Sequence, residues 1–174
     1  MENINKRTID LTTTAMMFAL IMVFSVLEST FTPLLGLPPG IRLGLTNILV
    51  MYSLFFINKP TAFMLVILKS VFVFITRGGI AGFLSFSGGM LALVVMILLI
   101  ILFKDNISIL ILSIAGAIAH NIGQLMIASL LLHQNLVLVY LPVLLISGIV
   151  VGTITGSLLR VTLPALRKIV FNRK

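Results

Sequence analysis

Residues 83–103 read FLSFSGGMLALVVMILLIILF, twenty-one positions without a charged side chain. A helix needs about 20 apolar residues to cross a hydrocarbon core of roughly 30 Å, and this stretch supplies them. The rest of the chain has the same character. Apolar residues make up 60% of it and charged residues 9%, with a mean hydropathy of +1.27. A soluble domain carries roughly 25% charged and about 45–50% apolar residues, so lipid is the main solvent here. The chain has 174 residues. Six helices of about 20 residues each, with short connections, consume nearly all of that length, so residues 1–174 read as a single integral membrane domain.

Breakers and charges divide the apolar sequence into six predicted spans. The first covers about 11–30. Leu11–Thr30 is long for the apolar region of a signal peptide, lacks a clear small-residue cleavage site, and reads as a retained helix. Pro33, Gly36, Pro38, Pro39 and Gly40 then exclude regular helix. The second span runs from about Leu43 to Ile57 and ends at Asn58-Lys59-Pro60. The third covers about 61–76 and stops at Arg77-Gly78-Gly79. The fourth is the opening stretch, the fifth runs over about 107–132, and the sixth over about 136–163, before Pro164 and a basic tail. Spans two and three are short for a bilayer. Non-helical backbone at membrane depth survives only where protein buries it or a cavity adjoins it. The loop at 31–42 and the glycine-rich segment at 77–89 are therefore the expected walls of a pocket.

Positive charge sets the expected orientation. With the N-terminus inside, Lys6, Arg7, Lys59, Lys104, Arg160, Arg167, Lys168, Arg173 and Lys174 are cytoplasmic, nine of the twelve Lys and Arg residues. Such a bias predicts an even number of spans with both termini in the cytoplasm. The net charge of +8 then reflects anchoring at an anionic leaflet and not nucleic-acid binding.

Ionisable groups within apolar spans are costly and usually face a bundle interior or an aqueous cavity. Here they are Glu28, Arg42, Lys69, Arg77 and His120. Glu28 and Arg42 could form an ion pair that holds the loop, or line an outward pocket. Lys69 falls in mid-span, where its long stem permits either snorkelling or an inward position. His120, Asn121 and Gln124 are three or four residues apart and are expected to share a helix face. That face serves either as interhelical hydrogen-bonding glue or as a ligand surface. Small-residue ridges at Gly148, Gly152 and Gly156, and at Ala115, Ala119 and Gly123, predict close helix contacts.

Several chemistries are absent. With no cysteine, there are no disulfides, thiolate metal sites or cysteine nucleophiles. His120 and His133 have no carboxylate at ligand spacing, so no metal site is expected. No phosphate-binding Gly-x-x-x-x-Gly-Lys-Ser/Thr loop occurs. Asp10 and Asp105 are the two aspartates, too far apart in sequence for a paired Mg²⁺–diphosphate motif. A Ser/His/Asp triad is equally unsupported, so no catalytic residue and no cofactor is expected.

The run Glu28…Pro33…Pro39-Gly40-Ile41-Arg42-Leu43-Gly44-Leu45-Thr46-Asn47 resembles the PG-x-[KR]-LGL-x-N signature of the Gx transporter family. Phe83-Leu84-Ser85-Phe86-Ser87-Gly88-Gly89, Gly116–Gln124 and Tyr140-Leu141-Pro142 are also similar to it. That family is often labelled heptaprenyl diphosphate synthase component I and resembles the substrate-binding S components of energy-coupling factor (ECF) transporters. The resemblance implies an all-α membrane protein with six transmembrane helices and an outward pocket covered by loops. The candidate ligand-binding residues of such a pocket are Glu28, Arg42, Asn47, Lys69, Arg77, His120, Asn121 and Gln124, whose excess of cations over one carboxylate suits an anionic ligand. It further implies docking on a transmembrane coupling subunit with two ATPase subunits, through an alanine motif on helix one that Ala15 and Ala19 match. The expected function is non-enzymatic capture, at the cell membrane, of a small anionic or vitamin- or cofactor-precursor-like molecule. The alternative is an accessory membrane subunit of quinone, isoprenoid or flavin-linked electron transfer.

Overall fold

The computed structural model describes residues 2–31, 34, 44–104, 107–132 and 136–171. Six helices form: α1 (Glu2–Phe31), α2 (Asn47–Phe56), α3 (Lys59–Arg77), α4 (Gly79–Phe103), α5 (Ile109–Leu132) and α6 (Leu136–Phe171). No strand occurs among the described residues. Five of the helices are long and apolar enough to cross a membrane, over Leu11–Phe31, Lys59–Arg77, Gly79–Phe103, Ile109–Leu131 and Tyr140–Val161. The chain is therefore a multi-pass membrane protein.

The second helix is the exception. With ten residues, α2 extends about 15 Å, half of a hydrocarbon core. It is also the hub of the bundle. Helices α3, α4, α5 and α6 pack in sequence order, α1 packs on α3, and α2 touches all five others. Among the described residues α1 meets only α2 and α3, so the ring around α2 is open between α1 and α6.

Local chemistry explains the element ends. Asn58 is extended, its side-chain carbonyl accepts the Thr61 amide at 2.7 Å, and Pro60 lies in the first turn of α3. The breaker that ends the second apolar run thus also starts α3, a good N-cap followed by a proline that needs no amide partner. This lengthens the third span to 19 residues, where the sequence alone predicts a short one. At the other end Gly78, at φ 89°, reverses the chain into α4. Such a φ is open to glycine at little cost. Residues 79–82, which the sequence reading left between the third and fourth spans, are helical as well, so the glycine-rich segment is the first part of α4. Its glycines serve packing: a Cβ on Gly82 would lie 2.7 Å from Phe74 Cβ, and one on Gly89 would lie 2.9 Å from Val66.

Glycines also bring α5 close to its neighbours. Gly148, Gly152 and Gly156 let α6 approach the α5 backbone at Ile118, Ile114 and Leu110, and Gly116 receives the sulfur of Met96 from α4. Gly123 packs on the backbone of Ser87 and Gly88, whereas the sequence places it on a ridge with Ala115 and Ala119. The Ser113 and Thr155 hydroxyls, 2.7 Å apart, add a polar link between α5 and α6.

Two apolar cores result. The larger joins Met17 and Ile21 of α1, most of α2, Leu65 and Val66 of α3, Leu93 and Met96 of α4, Leu112 of α5 and Leu159 of α6. The smaller, of Leu84, Leu125, Ala128 and Leu144, lies toward the other end of α4, α5 and α6. A Cβ on Gly152 would lie 2.5 Å from the Cα of Ile114, a backbone atom that cannot rotate aside. Gly152→Val should therefore lower stability by about 1–3 kcal/mol, read from unfolding in mixed detergent. Gly79→Ala, which meets only Phe74 at 3.5 Å, should stay close to wild type.

Candidate functional site

Polar side chains separate the two cores. On α1 the buried positions are Met17, Ile21, Ser25 and Glu28. Spacings of four, four and three keep them on one helix face, so the stripe that buries Met17 also carries Glu28 inward. On α3 the buried stripe runs through Ala62, Leu65, Val66, Lys69, Ser70 and Val73. Lys69 lies on the core-facing side and is 1% exposed, which settles its direction: it points inward.

These groups meet where α2 begins. Lys69 Nζ donates to Asn47 Oδ1 at 3.3 Å, and the Gly44 amide donates to Glu28 Oε1. Gly44 has φ +85°, and a Cβ there would stand 2.8 Å from His120 Cδ2 and 3.1 Å from Asn47 Nδ2. Gly88 of α4 closes the other side of the imidazole, since its Cβ would lie 2.8 Å from His120 Nδ1 and 2.8 Å from Gln124 Cγ. The His120 ring is thus clasped between two glycine backbones, one on the approach to α2 and one on α4. Glu28, Asn47, Lys69, His120 and Gln124 therefore form one layer, each at most 8% exposed. The layer lies near the C-terminal end of α1, at the start of α2, in the second half of α3, in the first half of α4 and in the middle of α5. Alternating helix direction puts all of these at one level of the bundle.

The other expected site residues fall elsewhere. Arg77 ends α3 and is exposed; its Nη2 donates to the Ser25 carbonyl of α1 at 2.9 Å, and it is attracted electrostatically to Glu28. It forms a rim that ties α1 to α3. Asn121 does not share the face of His120 and Gln124. Its Nδ2 donates to the Leu144 carbonyl at 2.8 Å and to Ser147 Oγ at 3.3 Å, both on α6. Adjacent helix positions differ by about 100° in direction, and that rotation carries Asn121 toward α6. Arg42, and with it any Glu28–Arg42 pair and the loop at 32–43 apart from Leu34, lies outside the described residues.

Four positions join the layer that side-chain chemistry alone did not single out. Gly44 and Gly88 have no side chain to attract notice, although the paired glycines at 88–89 in an apolar span are a visible signal of close approach. Thr46 and Ser85 are 0% and 1% exposed, and neither hydroxyl has a hydrogen-bond partner. No group of three or more His, Asp or Glu able to hold a metal occurs among the described residues.

Comparison with known proteins places this geometry in a family. The profile of the family described as Heptaprenyl diphosphate synthase component I matches residues 17–162, and the chain belongs to that family, the Gx transporter family of its sequence motifs. No curated protein and no solved structure matches the chain.

Removing the α5–α6 bond should differ from disturbing the clasp. Asn121→Ala should cost about 1 kcal/mol, the usual worth of an interhelical hydrogen bond in a bilayer. Gly44→Ala combines a left-handed backbone with a collision against His120, and should cost about 2 kcal/mol or more. Unfolding of each variant in the same detergent series checks the ordering.

Proposed function

We propose that this chain is the substrate-binding S component of an ECF-type importer. It captures a small anionic or vitamin- or cofactor-precursor-like molecule from outside and hands it inward when docked on a coupling subunit with two ATPases. It has no catalytic activity of its own. The half-length of α2 carries this reading. The hub helix fills one half of the bundle and ends at a layer of buried polar groups, so five long helices surround the other half without it. A binding compartment between helices, with few polar groups at its floor, has this form.

The positive-inside bias supports the direction. With both termini in the cytoplasm and six spans, counting α2 with its flanking loop, the polar layer falls in the outer half of the bundle. The ligand then enters from outside. Ala15 and Ala19 are exposed on α1, the most lightly packed of the five long helices. This fits the docking role that the family resemblance gives them.

The family description favours a second reading, an accessory role in isoprenoid, quinone or flavin-linked membrane chemistry. Prenyl transfer by the chain itself is poorly supported. Its four acidic residues are Glu2, Asp10, Glu28 and Asp105, which offer no aspartate pair for Mg²⁺–diphosphate.

Purification from native membranes, followed by mass spectrometry of retained small molecules and identification of associated proteins, separates the readings. An associated pair of ATPases supports import; a redox or flavoprotein partner supports the second reading. Arg42→Ala, Lys69→Ala and His120→Ala should each reduce ligand retention about tenfold or more, the usual loss for a bond to a charged group. Arg160→Ala should retain it. Undiminished retention in all three site variants would remove this pocket. Ala15→Leu with Ala19→Leu should reduce ATPase association and leave ligand retention unchanged.

A further inference from the structure

Helix α2 begins inside the bundle, so its N-terminus is buried in the polar layer. Every α-helix leaves its first amides without intrahelical partners and carries about half a positive elementary charge at that end. A side-chain oxygen at the N-cap usually relieves this. Here the N-cap is Thr46, whose backbone is already helical at φ −61° and ψ −17°, and its hydroxyl makes no cap. The Asn47, Ile48 and Leu49 amides turn back onto the carbonyls of Gly44, Leu45 and Thr46.

Two polar atoms at this end have no partner. Thr46 is 0% exposed with an unbonded Oγ1, and Asn47 is 8% exposed with an unbonded Nδ2. An unpaired buried donor costs about 1–3 kcal/mol. Asn47 Oδ1 meanwhile holds Lys69 Nζ at 3.3 Å. The helix terminus, the hydroxyl and the amide NH₂ thus belong to the adjacent residues 46 and 47, and the Lys69 ammonium reaches the same Asn47 side chain. All four stabilise negative charge there, and low polarity strengthens each contribution.

Charge counting limits what fits. Among the described residues the layer and its rim hold Glu28, Lys69 and Arg77, a sum of one positive charge. The single carboxylate accepts from the Gly44 amide, ahead of the helix, and is attracted to Arg77. Among the described residues no further cation stands beside Glu28 to balance a second negative charge on the ligand, and an unbalanced charge is costly at membrane depth.

We infer that the N-terminus of α2, with Thr46, Asn47 and Lys69, is the subsite for a singly charged anionic group of the substrate, a carboxylate. The substrate is then a small acid that enters with its carboxylate innermost, its oxygens accepting from Thr46 Oγ1 and Asn47 Nδ2. This assignment rests on the substrate-capture reading above.

Thermal unfolding of the full chain in lipid nanodiscs tests it, with sodium acetate against sodium chloride at equal ionic strength. At about ten times its Kd, acetate should raise Tm by about 3 °C in the wild type. Thr46→Val and Asn47→Asp should abolish the rise. Asn47→Asp preserves the acceptor for Lys69 while placing a carboxylate where the anion would sit, so it stays folded. No rise in the wild type, or an equal rise in Asn47→Asp, would overturn the subsite. A larger rise with inorganic phosphate than with acetate at pH 8 would overturn the assignment of single charge. Absence of associated ATPases, with the acetate effect intact and lost in the variants, would sink the import reading and leave the subsite standing.

Discussion

A ten-residue helix cannot cross a hydrocarbon core, so at least one end of α2 must lie where protein, not lipid, surrounds its backbone. Much else in the structure follows from that constraint. The five longer helices must enclose α2, which is why Leu49 to Leu54 are all buried although the helix is short. Its first amides turn back onto the Gly44, Leu45 and Thr46 carbonyls, and the neighbouring helices supply polar side chains at that level. Glu28 takes the Gly44 amide, Asn47 takes the Lys69 ammonium, and His120 fills the space beside the Gly44 backbone.

Packing is unequal around this hub. Helices α4, α5 and α6 approach through Gly88, Gly116, Gly123 and Gly148–Gly156, and are joined by Ser113–Thr155 and Asn121–Leu144 bonds. Close backbone approach and interhelical hydrogen bonds are the main adhesive forces in lipid, where burying apolar surface yields little. Helix α1 has neither device in comparable number. It is held by the Met17 and Ile21 contacts, by Glu28 and by the Arg77–Ser25 bond. The fixed block and the lightly held helix together give the bundle a rigid side and an adaptable one.

The buried polar layer would be a poor choice for stability alone. Buried cations and unpaired hydroxyls in a bilayer bundle cost free energy that an apolar layer would avoid. Asn121 shows how such a group is used structurally, with two donors committed to α6. Asn121 Oδ1, Asn47 Nδ2 and Thr46 Oγ1 all lack a partner, and the last two lie at a helix terminus inside the bundle.

The sequence by itself determined the membrane setting, the all-helical class, the family and most of the ionisable residues that matter. Hydrophobic length and scarce charge are local properties, and a bilayer leaves an apolar chain few alternatives to the helix. Three-dimensional packing alone decided that residues 79–82 join α4, that Lys69 turns inward and that Asn121 parts from His120. Each depends on which neighbour lies across the gap, and a glycine such as Gly44 or Gly88 carries no side chain from which a linear reading could infer the imidazole it touches.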